Sequence, residues 1–395
     1  MTALTFAEAR ACVLENIPVR VPETEIVDLL AAAGRILAVD LAADRDYPPT
    51  ARSMRDGFAV RSVDLPGQLR VIGEVRAGES YAGTVGVGES VEIMTGAPMP
   101  AGCDQVIMVE HVKREGELVV ADLPGMPGNN FNPQGAEAAA GQRVLAAGQR
   151  LGFTQISQLA TIGVSRVPVF VKPRVAILAT GDELVAVDAH PRPDQVRNSN
   201  AYSLAAQVAR AGGVPVLLPA AHDTAESTRG LMQQGLEADL LLISGGVSAG
   251  KYDLVETILA ELEAKFFFTR VRLQPGQPLV FGRCRERFFF GLPGNPSSTM
   301  VTFELFARAA IELLSGALTP MLPMLTATLT AALDQKTGLT RVLPAMLSPE
   351  GHTVTPIHWK GSGDVPSLAR ANCFTVSDPE RERYEAGDLI RVLMQ

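Results

Sequence analysis

Hydroxyl and carboxylate side chains cluster on three glycine-rich turns between residues 173 and 298, and each turn closes a short apolar run. The run Arg174-Val-Ala-Ile-Leu-Ala ends in Thr180-Gly181-Asp182-Glu183-Leu184. Asp239-Leu-Leu-Leu-Ile ends in Ser244-Gly245-Gly246-Val247-Ser248-Ala249-Gly250. Arg287-Phe-Phe-Phe ends in Gly291-Leu292-Pro293-Gly294-Asn295-Pro296-Ser297-Ser298. Glycine lets backbone approach a ligand closely, and free N–H groups at a helix start attract anions. The chemistry these groups suit is the binding of a phosphorylated or otherwise anionic metabolite. Taken singly, each turn has a plainer reading, with Thr180 or Ser244 merely capping a helix.

Three such turns act together only if a common framework aligns them. Unbroken apolar runs of this length suit strands buried on both faces of a parallel sheet. Turns at the carboxyl ends of such strands face one crevice, where open α/β sheets bind ligands. Each turn is expected to restart as a helix. No Gly-Lys-Ser/Thr and no Gly-x-Gly-x-x-Gly occurs in them, so neither a nucleotide hydrolase nor a dehydrogenase is indicated.

At 395 residues the chain is long enough for two to four domains. A hydrophobic content of 47% with 20% charged residues describes a globular protein. The net charge of −8, without a compensating basic stripe, argues against nucleic-acid binding. Cys12, Cys103, Cys284 and Cys373 are scattered, which argues against a disulfide framework or a structural zinc site. The five histidines show no metal-ligand spacing. No secretory pattern opens the chain and no apolar run reaches membrane-spanning length, so a cytoplasmic location is expected.

Around the central segment, Thr5-Phe6-Ala7-Glu8 predicts a capping box opening a helix through about Leu14. Residues 23–38 carry a second helical pattern, stopped at Asp46-Tyr47-Pro48-Pro49. From Gly57 to Val120 short alternating strands separated by glycines predict a small β domain. A loop follows at 123–130, helical spacing returns at Thr154 to Thr161, and strands resume after Pro320. Two further clusters stand out: Ser53-Met-Arg-Asp56-Gly-Phe-Ala-Val60, read as a loop entering the β domain, and Glu92-Ile-Met-Thr95-Gly-Ala-Pro-Met-Pro100, with Thr95 at a strand–turn junction.

Together, Ser-x-x-Asp-Gly-Phe-Ala-Val, Ile-Met-Thr-Gly-Ala-Pro-x-Pro, Thr-Gly-Asp-Glu-Leu, Ser-Gly-Gly-Val-Ser-x-Gly and Gly-Leu-Pro-Gly-Asn-Pro resemble the molybdopterin molybdenumtransferases. That family includes bacterial MoeA and the E domain of gephyrin. The likeness runs collinearly from about residue 6 to 395. It implies an α/β and β multidomain fold: a helical/linker domain (1–50 and 141–173), a small β domain (51–140), an α/β molybdopterin-binding domain with a mostly parallel sheet (174–317) and a C-terminal β barrel (318–395). It also implies insertion of molybdate into adenylylated molybdopterin with release of AMP, assisted by magnesium, in a two-fold homodimer. The upstream molybdopterin adenylyltransferase is a further implied partner.

Carried over residue by residue, the resemblance assigns catalysis to Asp56, Glu183, Asp223 and Asp253, with Asp253 and Glu183 as metal ligands. Asp56 is expected to reach the α/β domain across a dimer cleft. Substrate binding falls to Thr95, Thr180, Gly181, Asp182, Ser244, Gly245, Gly246, Ser248, Gln274, Gln277, Pro293, Gly294, Asn295, Pro296 and Ser362. The chain departs from the family where Lys-Pro-Gly-Lys-Pro is replaced by Gln274-Pro275-Gly276-Gln277-Pro278. The arginines usual before Gly-Glu-Asp are missing from Asn132-Pro-Gln-Gly-Ala-Glu137, and Gly338-Leu-Thr-Arg341 keeps a single arginine. Glutamine keeps a donor but loses the charge, so weaker oxyanion binding is expected. A molybdopterin-binding paralogue with weak insertion, or a non-catalytic scaffold, is the alternative reading.

Overall fold

The computed structural model describes residues 2–18, 23–246 and 254–395. Its centre is a six-stranded sheet. In order across the sheet the strands are Val214–Leu217, Arg174–Ala179, Leu240–Ser244, Arg287–Leu292, Pro278–Cys284 and Lys265–Arg270. The first four run parallel and the last two are antiparallel additions. The three apolar runs are therefore adjacent, as expected, and Leu178, Leu242 and Phe290 are wholly buried. Helices Ser199–Ala211, Ala225–Gly235, Leu254–Glu261 and the continuous 296–314 segment cover the faces. The 296–314 segment contains a π-helical stretch, Phe303–Ala307.

The helix expected directly after the first turn does not form there. Leu184–Val185 instead pairs in parallel with Val196–Arg197, and the helix begins only at Ser199. Pro191 and Pro193 lie between the two short strands and cannot sit in a helix interior.

The helix expected over residues 23–38 is also absent. Thr24–Asp28 is a strand, antiparallel to Arg166–Phe170, and Leu29–Ala32 is a single 3₁₀ turn. β-branched Thr24, Ile26 and Val27 favour extended backbone, and a partner 140 residues away in the register Thr24–Phe170 to Asp28–Arg166 overrides local periodicity. Local signals held where the reward was local. Thr5 caps helix Phe6–Asn16 in a capping box with Glu8, and the second N-terminal-region helix is Phe153–Thr161. Helix Phe6–Asn16 buries Ala9 and Val13 in the core of the central sheet, and Phe6 meets the Phe306 ring edge-on at 5.7 Å.

Residues 57–121 form a second six-stranded sheet, ordered Gln105–Met108, Gly57–Val60, Glu89–Ile93, Gly67–Val75, Leu118–Ala121 and Lys113–Glu115. In the C-terminal region, Met324–Leu329, Thr353–Pro356, Thr340–Leu347, Cys373–Val376 and Leu389–Met394 pair in a closed ring, a five-stranded barrel. Leu273–Gln274 joins this barrel from the central region by pairing with Thr340–Arg341. No helix among the described residues is long and apolar enough to cross a membrane.

Candidate active site in the cleft at the strand ends

The three turns are tied to one another through backbone. Thr180 donates its N–H to the Ser244 carbonyl at 3.0 Å, and Gly245 donates to the Leu292 carbonyl at 3.1 Å. Gly245 has φ +95°, and a Cβ there would stand 2.7 Å from the Thr180 carbonyl oxygen. Only glycine fits, because the turns touch where a side chain would stand.

Neither Thr180 nor Ser244 caps a helix. The Thr180 hydroxyl is buried without a hydrogen-bond partner among the described residues. The Ser244 hydroxyl accepts from Asn200 Nδ2 at 2.9 Å, and the same amide donates to the Gly294 carbonyl at 2.7 Å. Asn200 thus clamps the second turn to the third. Sequence reading missed it; the available signal was the polar triplet Asn198-Ser199-Asn200 opening a helical pattern. Asn200 Oδ1 and Ser297 Oγ are also buried without partners among the described residues. Orphaned polar atoms cost stability unless something pairs with them, and those of Thr180 and Asn200 belong to residues that line one cleft, which makes it a candidate ligand site.

These turns floor a cleft of about 1150 Å³. Of the expected residues, Thr180, Gly181, Glu183, Asp223, Ser244, Gly245, Gly246, Pro293, Gly294, Asn295 and Pro296 line it. So do Arg197, Asn198 and Asn200, which were not anticipated, and Gly363 from the C-terminal region. Asp182 serves the wall rather than the cleft: its Oδ1 accepts the Asp223 N–H at 3.2 Å, while Asp223 Oδ2 accepts the Asp182 N–H at 3.4 Å. Ser362 brings its carbonyl to the Ser297 N–H at 2.9 Å, joining the barrel side to the third turn. Gln274 and Gln277 lie outside the lining; Gln274 stands in register with Arg341, and Gln277 accepts the Val271 N–H at 3.0 Å. Ser248 and Asp253 fall outside the described residues.

Among the described lining residues, Arg197 is the single cation, its Nε donating to the Ala189 carbonyl at 3.1 Å, and Glu183 and Asp223 are the carboxylates. The first residues of helix Ser199–Ala211 also line the cleft, and the positive end of a helix dipole there suits an anion. No cluster of three or more histidine, cysteine, aspartate or glutamate side chains among the described residues could by itself hold a metal. Magnesium, however, keeps several waters and takes one or two carboxylates plus substrate phosphate oxygens, a demand that Glu183 and Asp223 meet.

Asp56 and Thr95 occupy the other sheet. Asp56 Oδ1 accepts the Thr95 N–H at 2.6 Å and the Thr95 hydroxyl at 2.8 Å. Thr95 is presented by a turn in which the Ala97 N–H reaches the Met94 carbonyl at 3.0 Å and Gly96 takes φ +83°. The Thr95 N–H, then its hydroxyl, hold the exposed Asp56 carboxyl below its ordinary value of 3.8. Gly57 must follow, because a Cβ there would fall 1.8 Å from the Ile107 carbonyl oxygen. No described residue of 51–140 lines the cleft, so Asp56 does not enter the site formed by its own chain.

Residues 4–163 match the MoeA N-terminal region (domain I and II), 176–313 a probable molybdopterin binding domain, and 326–394 the MoeA C-terminal region (domain IV). The molybdopterin molybdenumtransferase of Bacillus subtilis is 34% identical over 386 residues, covering 94% of this chain and 90% of that protein. This chain belongs to the molybdopterin molybdenumtransferase family. The Nostoc enzyme of that name is 38% identical over 305 residues, 74% of this chain and 70% of the relative. The crystal structure of the molybdopterin biosynthesis moeA protein from Pyrococcus horikoshii OT3 superimposes over the full length of both chains, with a TM-score of 0.82 and 28% identity. The family's central region coincides with the cleft, and its C-terminal region with the barrel that contributes Gly363.

Proposed function

We propose that this protein inserts molybdate into adenylylated molybdopterin, releasing AMP and yielding the molybdenum cofactor. The single observation carrying this reading is the cleft at the strand ends, with three linked turns and orphaned Thr180 and Asn200 oxygens, in a chain of this family. Its volume of about 1150 Å³ exceeds the roughly 300–1,000 Å³ of ordinary small-ligand pockets, in keeping with a substrate that joins a pterin to a nucleotide.

Magnesium, when bound, supplies positive charge at phosphoanhydride oxygens; Glu183 and Asp223, together with Asp253, would hold it. The chain's own groups do the rest. N–H groups at the turns take the phosphate oxygens, and Thr180, Asn200 and Ser297 fix the substrate by hydrogen bonds. Molybdate meets the substrate on the barrel side, near Ser297 and Ser362. Arg341, whose Nε is buried without a partner among the described residues, is the charged donor there beside Gln274, one of the two glutamines that stand where the family resemblance implies lysines. Adenylylated molybdopterin arrives from the upstream adenylyltransferase in the cytoplasm.

Asp56 completes the cleft of a second copy. Its absence from its own chain's cleft supports a two-fold homodimer, as do the exposed apolar side chains Leu30 and Phe153, at 85% and 88% exposure. Mixing Asp56→Asn protein with Glu183→Gln protein tests both function and assembly. Each variant alone should release little AMP, and a reassociated equimolar mixture should regain about a quarter of wild-type activity, since half the dimers carry one intact composite cleft. No recovery, with heterodimers demonstrated, would place both carboxylates in one chain's site. Wild-type protein that binds adenylylated molybdopterin but releases no AMP would instead support the scaffold reading.

A further inference from the structure

A second cavity, of about 340 Å³, lies at the opposite end of the central sheet, where residues 33–36, 150 and 170–172 meet the carboxyl-terminal ends of the 199–211 and 296–314 helices. Its polar lining is dominated by cations: Arg35, Arg150, Lys172, Arg210 and Arg308, with Glu312 as the acid. Such a concentration is out of character for a chain of net charge −8.

Most of this charge has an internal partner. Glu304, buried in the π-helical stretch, pairs with Arg210 at 2.6 Å and with Arg308 at 3.3 Å. Glu312, equally buried, pairs with Arg308 at 3.2 Å and with Arg150 at 3.5 Å, and takes the Met321 N–H at 2.6 Å. Arg35 pairs with Glu25. The two helix ends carry partial negative charge, which the neighbouring arginines offset. That leaves five cations against three carboxylates, and Lys172 with no partner among the described residues. Arg150 lines the cavity with both terminal nitrogens engaged, one donating to the Gly34 carbonyl at 2.9 Å and the other 3.5 Å from Glu312, which leaves Lys172 as the cation free to meet an anion.

We propose that this cavity is a binding site for a phosphate-type oxyanion, distinct from the cleft that carries the proposed reaction. Arg35, Arg150 and Lys172 come from one side of the junction, and Arg210 and Arg308 from the other. A doubly charged tetrahedral anion accepts from several donors at once, relieves the repulsion between like charges and fastens the two sides together. The occupant is inorganic phosphate or the phosphate group of a small metabolite. Its effect is stabilisation of the junction, with the chemistry of the other cleft left unchanged.

Lys172→Met is the discriminating variant, because Lys172 is exposed and its removal strands no buried carboxylate. Inorganic phosphate and pyrophosphate are titrated calorimetrically into full-length wild-type and variant protein at fixed ionic strength, with melting temperature and AMP release followed in parallel. Wild-type protein should bind phosphate saturably and melt higher with it. Lys172→Met should weaken that binding at least about tenfold, about 1.4 kcal/mol, while releasing AMP at the wild-type rate. Tighter binding of pyrophosphate than of phosphate, with the same loss in the variant, would identify a phosphorylated metabolite as the better occupant. Absence of saturable binding by wild-type protein overturns the proposal. So does binding that Lys172→Met leaves unchanged, since the anion would then lie in the other cleft.

Discussion

The two ends of the central sheet handle charge in opposite ways, although the same two helices connect them. At the carboxyl end, helices 199–211 and 296–314 begin, one described cation lines the cleft with two carboxylates, and buried polar atoms of Thr180, Asn200 and Ser297 go unpaired among the described residues. At the amino end the same helices finish, five cations gather, and Glu304 and Glu312 neutralise most of them. Charge count alone points to the amino end as a place for an anion, and unsatisfied hydrogen-bonding capacity points to the carboxyl end. Oriented N–H groups stabilise an anion without a cation, whereas at the amino end only the charge in excess of the internal pairs, that of Lys172 above all, is free to attract one.

Breaking the paired end should have the largest effect on stability. Glu304→Ala strands Arg210 and Arg308 beside a buried void and should cost about 3 kcal/mol in denaturant unfolding, with the KM for adenylylated molybdopterin unchanged. A raised KM with unaltered stability would mean the two ends are coupled. At the other end, Gly245→Ala drives a methyl group toward the Thr180 carbonyl and hydroxyl, 2.7 and 3.0 Å away. AMP release should fall by about a hundredfold, roughly 2.7 kcal/mol in barrier, while the protein stays folded. Near-normal turnover would show that the linked turns are scaffold only.

Adding charge sharpens the contrast. The double variant Gln274→Lys, Gln277→Lys should lower the molybdate concentration for half-maximal AMP release by about tenfold, a 1.4 kcal/mol effect. An unchanged molybdate dependence in folded protein would place the oxyanion away from the Gln274–Arg341 pairing. The smallest effect is expected from Thr95→Val. Asp56 keeps its carboxyl below the ordinary value of 3.8 through the Thr95 N–H and hydroxyl, so its stabilising contribution is full above that pH and is lost as pH falls through the lowered value. Removing the hydroxyl should move the Asp56 titration upward, read by carboxyl NMR, and should leave stability at neutral pH almost unaltered. No movement would assign the shift to the backbone N–H alone.

Legibility in the sequence followed the range of the interactions concerned. The capping box at Thr5 and Glu8, four of the six strands of 57–121 and the three apolar runs were readable, because each is decided within a few residues, whereas Gly57–Val60 reads as a loop and becomes a strand through its pairing with Glu89–Ile93 and Gln105–Met108. Residues 23–38 were misread because the strand Thr24–Asp28 exists only through its pairing with Arg166–Phe170. Asn200 was missed because an asparagine at a helix start reads as a cap, whereas its bonds run to Ser244 and Gly294. The separation of Gln274 and Gln277 from the cleft lining was equally hidden, since it depends on Leu273–Gln274 joining the barrel.

The sequence by itself determined the family, the alternation of buried strands and glycine turns, and the glycine, proline, hydroxyl and carboxylate groups that the three turns bring to the cleft. These are encoded in contiguous residues, where side-chain size and backbone freedom act directly. Tertiary structure alone decided which turns touch, which polar atoms are left without partners, and that Asp56 stands outside its own chain's cleft. It also placed Lys172 among arginines that lie far from it in the chain. Burial and hydrogen-bond satisfaction are properties of the closed fold, and no window of sequence contains the atoms that settle them.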